Sequence, residues 1–105
     1  MASNDQNDPS AAIPTWNAGG LPLRIFTNGD HLVKTGPGAI LSICVNTVGS
    51  DSGMTIYDGI DATGTLIATV STLGQVVLPI AARFTVGLFI VSTGSVAADT
   101  TVIYL

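Results

Sequence analysis

Three observations predict an all-β domain. Ten valines, ten isoleucines and thirteen threonines supply the β-branched side chains that pack best on a pleated sheet. The chain has no glutamate, one lysine and two glutamines, so the usual formers of exposed helical faces are nearly absent. From Leu23 onward, short apolar segments alternate with clusters of turn residues. We therefore expect a jelly roll or β-sandwich of about eight strands.

The strands are predicted from these segments in chain order. Their ranges are 23–27, 31–34, 39–48, 54–58, 65–71, 76–81, 87–92 and 100–105. Asn28-Gly29-Asp30 tolerates positive φ and predicts a tight hairpin between the first two strands. Thr35-Gly36-Pro37-Gly38 ends the second strand, because proline removes a ladder hydrogen bond. Small residues at 49–53 and 59–64 separate the third, fourth and fifth strands.

The last two strands differ from the fifth in their patterning. The fifth alternates apolar and polar residues, apart from Ile67, which indicates one face in water. In the segments 88–91 and 102–105 both faces are apolar, so both are expected to be covered. A second sheet covers only one face, and the other must meet loops or a neighbouring chain. We therefore expect a partner interface that includes Leu88, Ile90 and Ile103.

Residues 1–22 form a separate segment, an extended N-terminal arm that precedes the β domain of residues 23–105. The arm contains Pro9, Pro14 and Pro22 and shows no strand-like alternation. A disordered tail is one interpretation. Ile13 and Trp16 favour an arm that docks on a partner, with Trp16 as its anchor, because a disordered segment has little use for a large aromatic side chain.

Charge content limits the functional class. Only 10% of the residues are charged, against about 25% in an ordinary soluble domain. Every apolar run is interrupted well before the length of about 20 residues that a membrane helix needs, so we expect surface covered by a partner instead. The net charge is −4 and the three basic residues are scattered, which argues against nucleic-acid binding. Residues 1–8 lack a basic and a hydrophobic segment, so we expect synthesis in the cytoplasm without secretion.

The residues suited to catalysis are few, and no enzymatic activity or cofactor is expected. One histidine, His31, follows a turn and is expected to be exposed. Asp51-Ser52-Gly53 matches part of a serine-protease motif, but three residues without a converging histidine indicate chance. Asp58 and Asp61 share a loop that could bind calcium, although turn formation is favoured. Cys44 lies in an apolar run and is expected in the core, without disulfide or metal.

Between about residues 33 and 104 the order of motifs resembles a group of small structural proteins of tailed bacteriophages. The motifs are the Gly36-Pro37-Gly38 turn before a hydrophobic strand, Tyr57-Asp58-Gly59, the strand 64–69, Gly87-Leu88 before a hydrophobic strand, and Thr101-Val102-Ile103-Tyr104. The resemblance implies a jelly roll that decorates and cements a capsid from the outside. The implied partners are the major capsid protein and the chain itself, with a homotrimer favoured over a dimer because trimers suit three-fold lattice positions.

A second function remains open on sequence alone. The chain could be a carbohydrate- or receptor-binding β-sandwich module of a phage tail or fibre. Such modules expose aromatic platforms beside polar loops, and Trp16 and Tyr57 are the two candidates.

Overall fold

The computed structural model describes residues 20–74 and 76–105, which form eight β-strands and no helix. The strands are β1 (Leu21–Ile25), β2 (Gly29–Thr35), β3 (Gly38–Thr47), β4 (Gly53–Asp58), β5 (Thr65–Ser71), β6 (Val77–Phe84), β7 (Gly87–Thr93) and β8 (Asp99–Tyr104). The predicted all-β class and number of strands are confirmed. Ile13 and Trp16 of the predicted arm lie outside the described residues.

The strands form two antiparallel sheets of four. Sheet A has the order β1-β8-β3-β6 and sheet B the order β2-β7-β4-β5. The pairs β1–β8, β2–β7, β3–β6 and β4–β5 are nested, which is the pairing of a jelly roll. The predicted hairpin across Asn28-Gly29-Asp30 is wrong, because β1 and β2 belong to different sheets. These turn residues, with Gly29 at φ +115°, lead the chain from one sheet to the other.

The core lies between the inner faces of the sheets. Its fully buried members are Ile25, Ile40, Ile43, Met54, Ile56, Phe84, Leu88, Ile90 and Val102. Each such side chain contributes about 1.5–3 kcal/mol when it is removed from water. Because Leu88 and Ile90 are 0% exposed, they hold the two sheets together and cannot contact a partner. Strand alternation turns Phe89 and Val91 to the outer face of sheet B instead.

Two further residues lie elsewhere than predicted. Cys44 is only half-buried, and its neighbours Ile43 and Val45 are buried toward the core, so alternation places the thiol on the outer face of sheet A. The core assignment of Cys44 is therefore wrong. His31 is half-buried rather than exposed, and its Nε2 lies 2.9 Å from the Thr27 carbonyl oxygen.

Three strands differ from their predicted ranges by two residues or more. β1 keeps the predicted length but lies two residues earlier, at Leu21–Ile25, β2 extends over Gly29–Thr35, and β6 continues to Phe84. In β6 the register against β3 shifts beside Ala81, which adopts φ +52°. This irregularity re-aligns the strand, so that Phe84 is fully buried in the core.

Candidate functional site

The loops β1–β2, β3–β4, β5–β6 and β7–β8 meet at one end of the sandwich, here called the loop end. It comprises residues 26–28, 48–52, 72–76 and 94–98, with residue 75 outside the described part. Backbone hydrogen bonds join the loops, including Ser50 N–H to Val96 O at 3.0 Å and Ser95 N–H to Ser50 O at 2.9 Å. The Asn28 amide donates to Gly94 O at 2.7 Å. The loop end is thus a connected surface.

A buried hydroxyl pair fixes two of these loops to each other. Thr72 Oγ1 donates to Ser52 Oγ at 2.7 Å, and Ser52 Oγ donates to Thr72 O at 3.1 Å. Ser52 and Thr72 are 5% and 1% exposed. Buried polar groups are costly unless paired, so this pair stabilises one arrangement of the loops. Ser52, of the Asp51-Ser52-Gly53 match, is therefore a buried and hydrogen-bonded hydroxyl.

The loop end is closely packed at Gly49. A Cβ atom at this position would lie 2.4 Å from Val96 O and 2.5 Å from Ser52 Oγ. The β3–β4 and β7–β8 loops, which contribute these atoms, therefore approach each other as closely as the absence of a side chain allows.

Large apolar side chains project from the loop end into solvent. They are Phe26, Val48, Leu73, Val76 and Val96, with exposed fractions between 42% and 58%. Among the described residues of these loops, Asp51 is the one ionisable side chain. The polar groups of the loops bond to each other while the apolar groups face outward, which is the reverse of an ordinary soluble surface. Five exposed apolar side chains on one set of hydrogen-bonded loops make the loop end the candidate interaction surface.

An ion pair borders the loop end on sheet A. Arg24 Nε and Nη2 donate to the two carboxylate oxygens of Asp99 at 2.8 and 2.6 Å. The hydrogen bonds from the Arg24 guanidinium hold the pKa of Asp99 below its ordinary value. The same guanidinium lies 4.6 Å from the centroid of the Phe26 ring, at cation–π distance. Phe26 is therefore positioned while more than half of it stays exposed.

At the opposite end, Asp58 organises the β6–β7 turn. Its carboxylate accepts the backbone N–H groups of Thr85, Val86 and Gly87 at 2.9, 2.8 and 3.3 Å, and the Thr85 hydroxyl at 3.2 Å. These hydrogen bonds, those to Thr85 and Val86 first, lower the pKa of Asp58. Nearby, Asp61 accepts the Thr63 hydroxyl and, at 2.9 Å, the Thr63 N–H; these bonds lower its pKa as well.

A shallow depression of about 310 Å³ lies beside these two carboxylates. Ile60 and Val86 contribute apolar surface to it, and Asp58 and Asp61 contribute carboxylates that already hold turns together. Within residues 20–74 and 76–105, no group of three His, Cys or Asp side chains converges as a metal site would require. The hydrogen bonds support the turn-forming role that the sequence favoured for both aspartates.

The outer face of sheet B carries a row of large side chains. Leu32, Phe89, Tyr57 and Leu66 are directly paired across β2, β7, β4 and β5. The rings of Tyr57 and Phe89 have centroids 6.4 Å apart. Phe89 is only 6% exposed, whereas Leu32 and Leu66 are 50% and 58% exposed. Tyr57 therefore supports a neighbour and does not stand as a free aromatic platform.

Of the predicted contact residues in the described chain, only Ile103 reaches the surface. It is half-buried on the outer face of sheet A. The loop end was missed because its members come from four distant segments of the chain. The signal that could have found them is the presence of Phe26, Val48, Leu73 and Val96 beside or within turn clusters, where polar residues are usual.

Comparison with known proteins adds no relative. Family models, curated proteins and solved structures were all compared with the chain, and none matches it. Among the residues that the structure describes, no helix is long and apolar enough to span a membrane.

Proposed function

We propose that this chain is a structural virion protein that decorates and cements the capsid shell of a tailed phage. It binds capsid subunits and further copies of itself, and it performs no catalysis. The observation that supports this proposal is the loop end, where four loops present exposed apolar side chains from a hydrogen-bonded frame. The family resemblance of the sequence points to the same function.

The loop end suits a stable protein contact. Phe26, Leu73 and Val96 would form the apolar centre of an interface, and Asp51 with the Arg24–Asp99 pair would form its polar rim. Because the loops are already fixed by the Ser52–Thr72 pair, little conformational entropy is lost on binding. We assign the capsid contact to this end.

Self-association is assigned to the sheet faces. Leu32 and Leu66 are exposed at the two edges of the sheet B row, and Ile103 lies on sheet A. A closed rotational oligomer, with a trimer favoured over a dimer, would bury such repeated surfaces. Light scattering at micromolar concentration should detect the oligomer, and a stable monomer would contradict this part of the proposal.

The capsid contact is tested with two matched variants. Val96 at the loop end is 58% exposed and Val86 at the opposite end is 55% exposed. Val96→Lys and Val86→Lys therefore add the same charge at equal exposure. Binding to capsids stripped of decoration, measured by co-sedimentation, should weaken about tenfold or more for Val96→Lys, because a charge is buried unpaired. Val86→Lys should bind like the wild type.

Equal binding by both variants would contradict the assignment of the capsid contact to the loop end. Absence of binding to capsids, together with binding to oligosaccharides on a glycan array, would instead support a carbohydrate- or receptor-binding module of a tail or fibre. Circular dichroism of both variants shows whether either substitution has altered the fold.

A further inference from the structure

The four edge strands of the sandwich differ in their ability to pair with a further strand. Sheet A ends at β1 and β6, and sheet B ends at β2 and β5. β1 contains Pro22, and β6 contains Pro79 and the irregularity beside Ala81, so neither edge offers a regular ladder of hydrogen bonds. β2 carries a charge at Lys34, and its register against β7 shifts between Leu32 and Lys34. These three edges thus have the features that prevent edge-to-edge pairing.

The fourth edge strand, β5, is open over its second half. Its sequence, TLIATVS, contains no proline, glycine or charged residue. Its one irregularity is at Ile67, which has no partner in the register against β4, so the stretch from Ala68 to Thr72 stays regular. An uncharged and regular edge strand can pair with one more strand through its backbone.

One hydrogen bond fixes the direction of the backbone groups along this edge. Thr72 N–H donates to the Ser52 carbonyl oxygen, just before β4, at 3.2 Å. Backbone groups alternate in direction along a strand, so those of Val70 also point toward β4, and those of Thr69 and Ser71 point the other way. Because sheet B ends at β5, the N–H and C=O groups of Thr69 and Ser71 face the open edge.

The side chains of this stretch suit a second copy of the same strand. Two β5 strands that run antiparallel about Val70 would place Val70 opposite Val70 of the second copy and Thr69 opposite Ser71. Ala68 and Val70 pack toward the core and are only half-buried, so the second copy would complete their burial. Thr69 and Ser71 are exposed and would keep their hydroxyls in water on the outer face. The absence of charge on β5 means that no like charges meet across the pair.

We propose that a second copy of the chain extends sheet B, with the two β5 strands antiparallel about a two-fold axis at Val70. The second strand is a copy of β5, because hydroxyl residues flank Val70 on both sides and both directions of the strand therefore present the same pattern. Two copies of one strand meet antiparallel only about a two-fold axis, so this contact is distinct from the face contacts of a trimer and links one oligomer to the next. It goes beyond the proposed function, because it requires neither the capsid nor the loop end.

Disulfide cross-linking of the purified protein tests the register. In a Cys44→Ser background, Val70→Cys places two thiols at a pair without hydrogen bonds, where the Cα atoms are about 4.5 Å apart and within disulfide range. Ala68→Cys is the matched control, on the same face of β5 and equally half-buried, but its two copies would lie about 14 Å apart. Mild oxidation should link Val70→Cys chains in pairs at least about tenfold faster than Ala68→Cys chains. Equal rates would overturn the proposal.

Two substitutions of Ser71 in the Val70→Cys protein separate backbone pairing from contact between side chains. Ser71→Pro removes an N–H on the open edge and none that bonds to β4, so cross-linking should fall to the rate of the Ala68→Cys control. Ser71→Ala keeps the N–H and should cross-link like its parent. Undiminished cross-linking in a folded Ser71→Pro protein would contradict pairing through the backbone, and circular dichroism reports whether that protein is folded.

Amide hydrogen exchange tests the contact without any substitution. In concentrated protein the amides of Thr69 and Ser71 should exchange slowly, and after dilution they should exchange at least about tenfold faster, because the open edge returns to water. Fast exchange of both amides at every concentration overturns the proposal. Because capsids are absent from these measurements, a protein that binds capsids but neither cross-links nor protects these amides would retain the proposed function and lose this contact.

Discussion

The two ends of the sandwich are both built from tight loops but differ in the polar groups that hold those loops together. At the loop end, Ser52 and Thr72 bond to each other, Asn28 donates to the Gly94 carbonyl, and apolar side chains face outward. At the opposite end, the ionised carboxylate of Asp58 holds the β6–β7 turn. Burying a neutral apolar surface against a partner is favourable, whereas desolvating a carboxylate is costly. The opposite end carries the carboxylates of Asp58 and Asp61, whereas Asp51 is the one ionisable side chain described at the loop end, so the loop end is the better suited of the two to a dry interface.

The largest expected effect concerns the close packing of the loop end. Gly49→Ala should destabilise the domain by about 3 kcal/mol, because the new Cβ would overlap backbone and buried polar atoms. Gly74→Ala in the neighbouring β5–β6 loop is the control: the nearest atom to its Cβ is a Val76 methyl at 3.9 Å, so the change should stay within about 0.5 kcal/mol. Urea denaturation measures both. Equal stabilities would show that the loop end is loose.

The hydroxyl pair should give the next largest effect. Thr72→Val leaves the shape intact but leaves Ser52 without its buried donor, at a cost of about 1–3 kcal/mol. Thr69→Val makes the same substitution on the exposed face of β5, where water bonds to the threonine hydroxyl. The free energy of unfolding should therefore change by no more than about 0.5 kcal/mol. Thermal melts of the two variants make the comparison. A neutral Thr72→Val would mean that the hydroxyl pair does not fix the loops.

Acid should destabilise the domain through the β6–β7 turn at the opposite end. The folded pKa of Asp58 lies below its unfolded value because backbone N–H groups bond the carboxylate. Its stabilising contribution is therefore complete above the unfolded pKa of about 3.9, and it is lost as the pH falls through the lower folded pKa. Asp58→Asn should be less stable than the wild type at neutral pH and lose less stability on acidification.

The measurement is urea denaturation at neutral pH and across the acid range. Asp30→Asn, at an exposed aspartate of β2, is the control and should follow the wild type. An Asp58→Asn protein as stable and as acid-sensitive as the wild type would contradict the anchoring role of Asp58.

The smallest expected effect is that of metal removal. Since Asp58 and Asp61 already accept hydrogen bonds from the chain, EDTA should leave the melting temperature unchanged. A structural ion present at a hundred times its dissociation constant would stabilise the domain by about 2.7 kcal/mol. A fall of several degrees in the melting temperature on addition of EDTA, reversed by calcium, would show that the end containing Asp58 and Asp61 binds an ion. The two ends would then differ in metal binding as well as in charge.

Local patterning was sufficient to predict the strands. The predicted range of the fifth strand, 65–71, coincides with β5, and the third is displaced by one residue, because β-branched segments bounded by glycine leave few alternatives. Asn28-Gly29 shows the limit. A turn signal reports a change of direction, but which strand pairs with β1 depends on β8, far along the chain, and local sequence contains no information on that choice.

The candidate site was harder to predict than the fold. The sequence indicated that both faces of β7 carry apolar side chains, but it could not show which face packs against the core. The structure assigns Leu88 and Ile90 to the core and Phe89 to the outer face. Cys44 was misplaced for the same reason, since an uninterrupted apolar run hides the alternation. The loop end arises only when four separate loops are brought together by the nested pairing.

That nested pairing also has a kinetic consequence. Among the eight strands, only β4 and β5 are consecutive and paired directly. By contrast, β1 pairs with β8, so that Leu21 lies opposite Tyr104. Closing short loops costs less entropy than closing long ones, so we expect folding to begin at the β4–β5 hairpin and to end with β1. In stopped-flow experiments, Thr55→Ala in β4 should mainly slow refolding, and Leu23→Ala in β1 should mainly accelerate unfolding. The reverse pattern would contradict this order. During refolding, the β4–β5 hairpin would then form first, and the edge of β8 would stay unpaired until β1 joins sheet A.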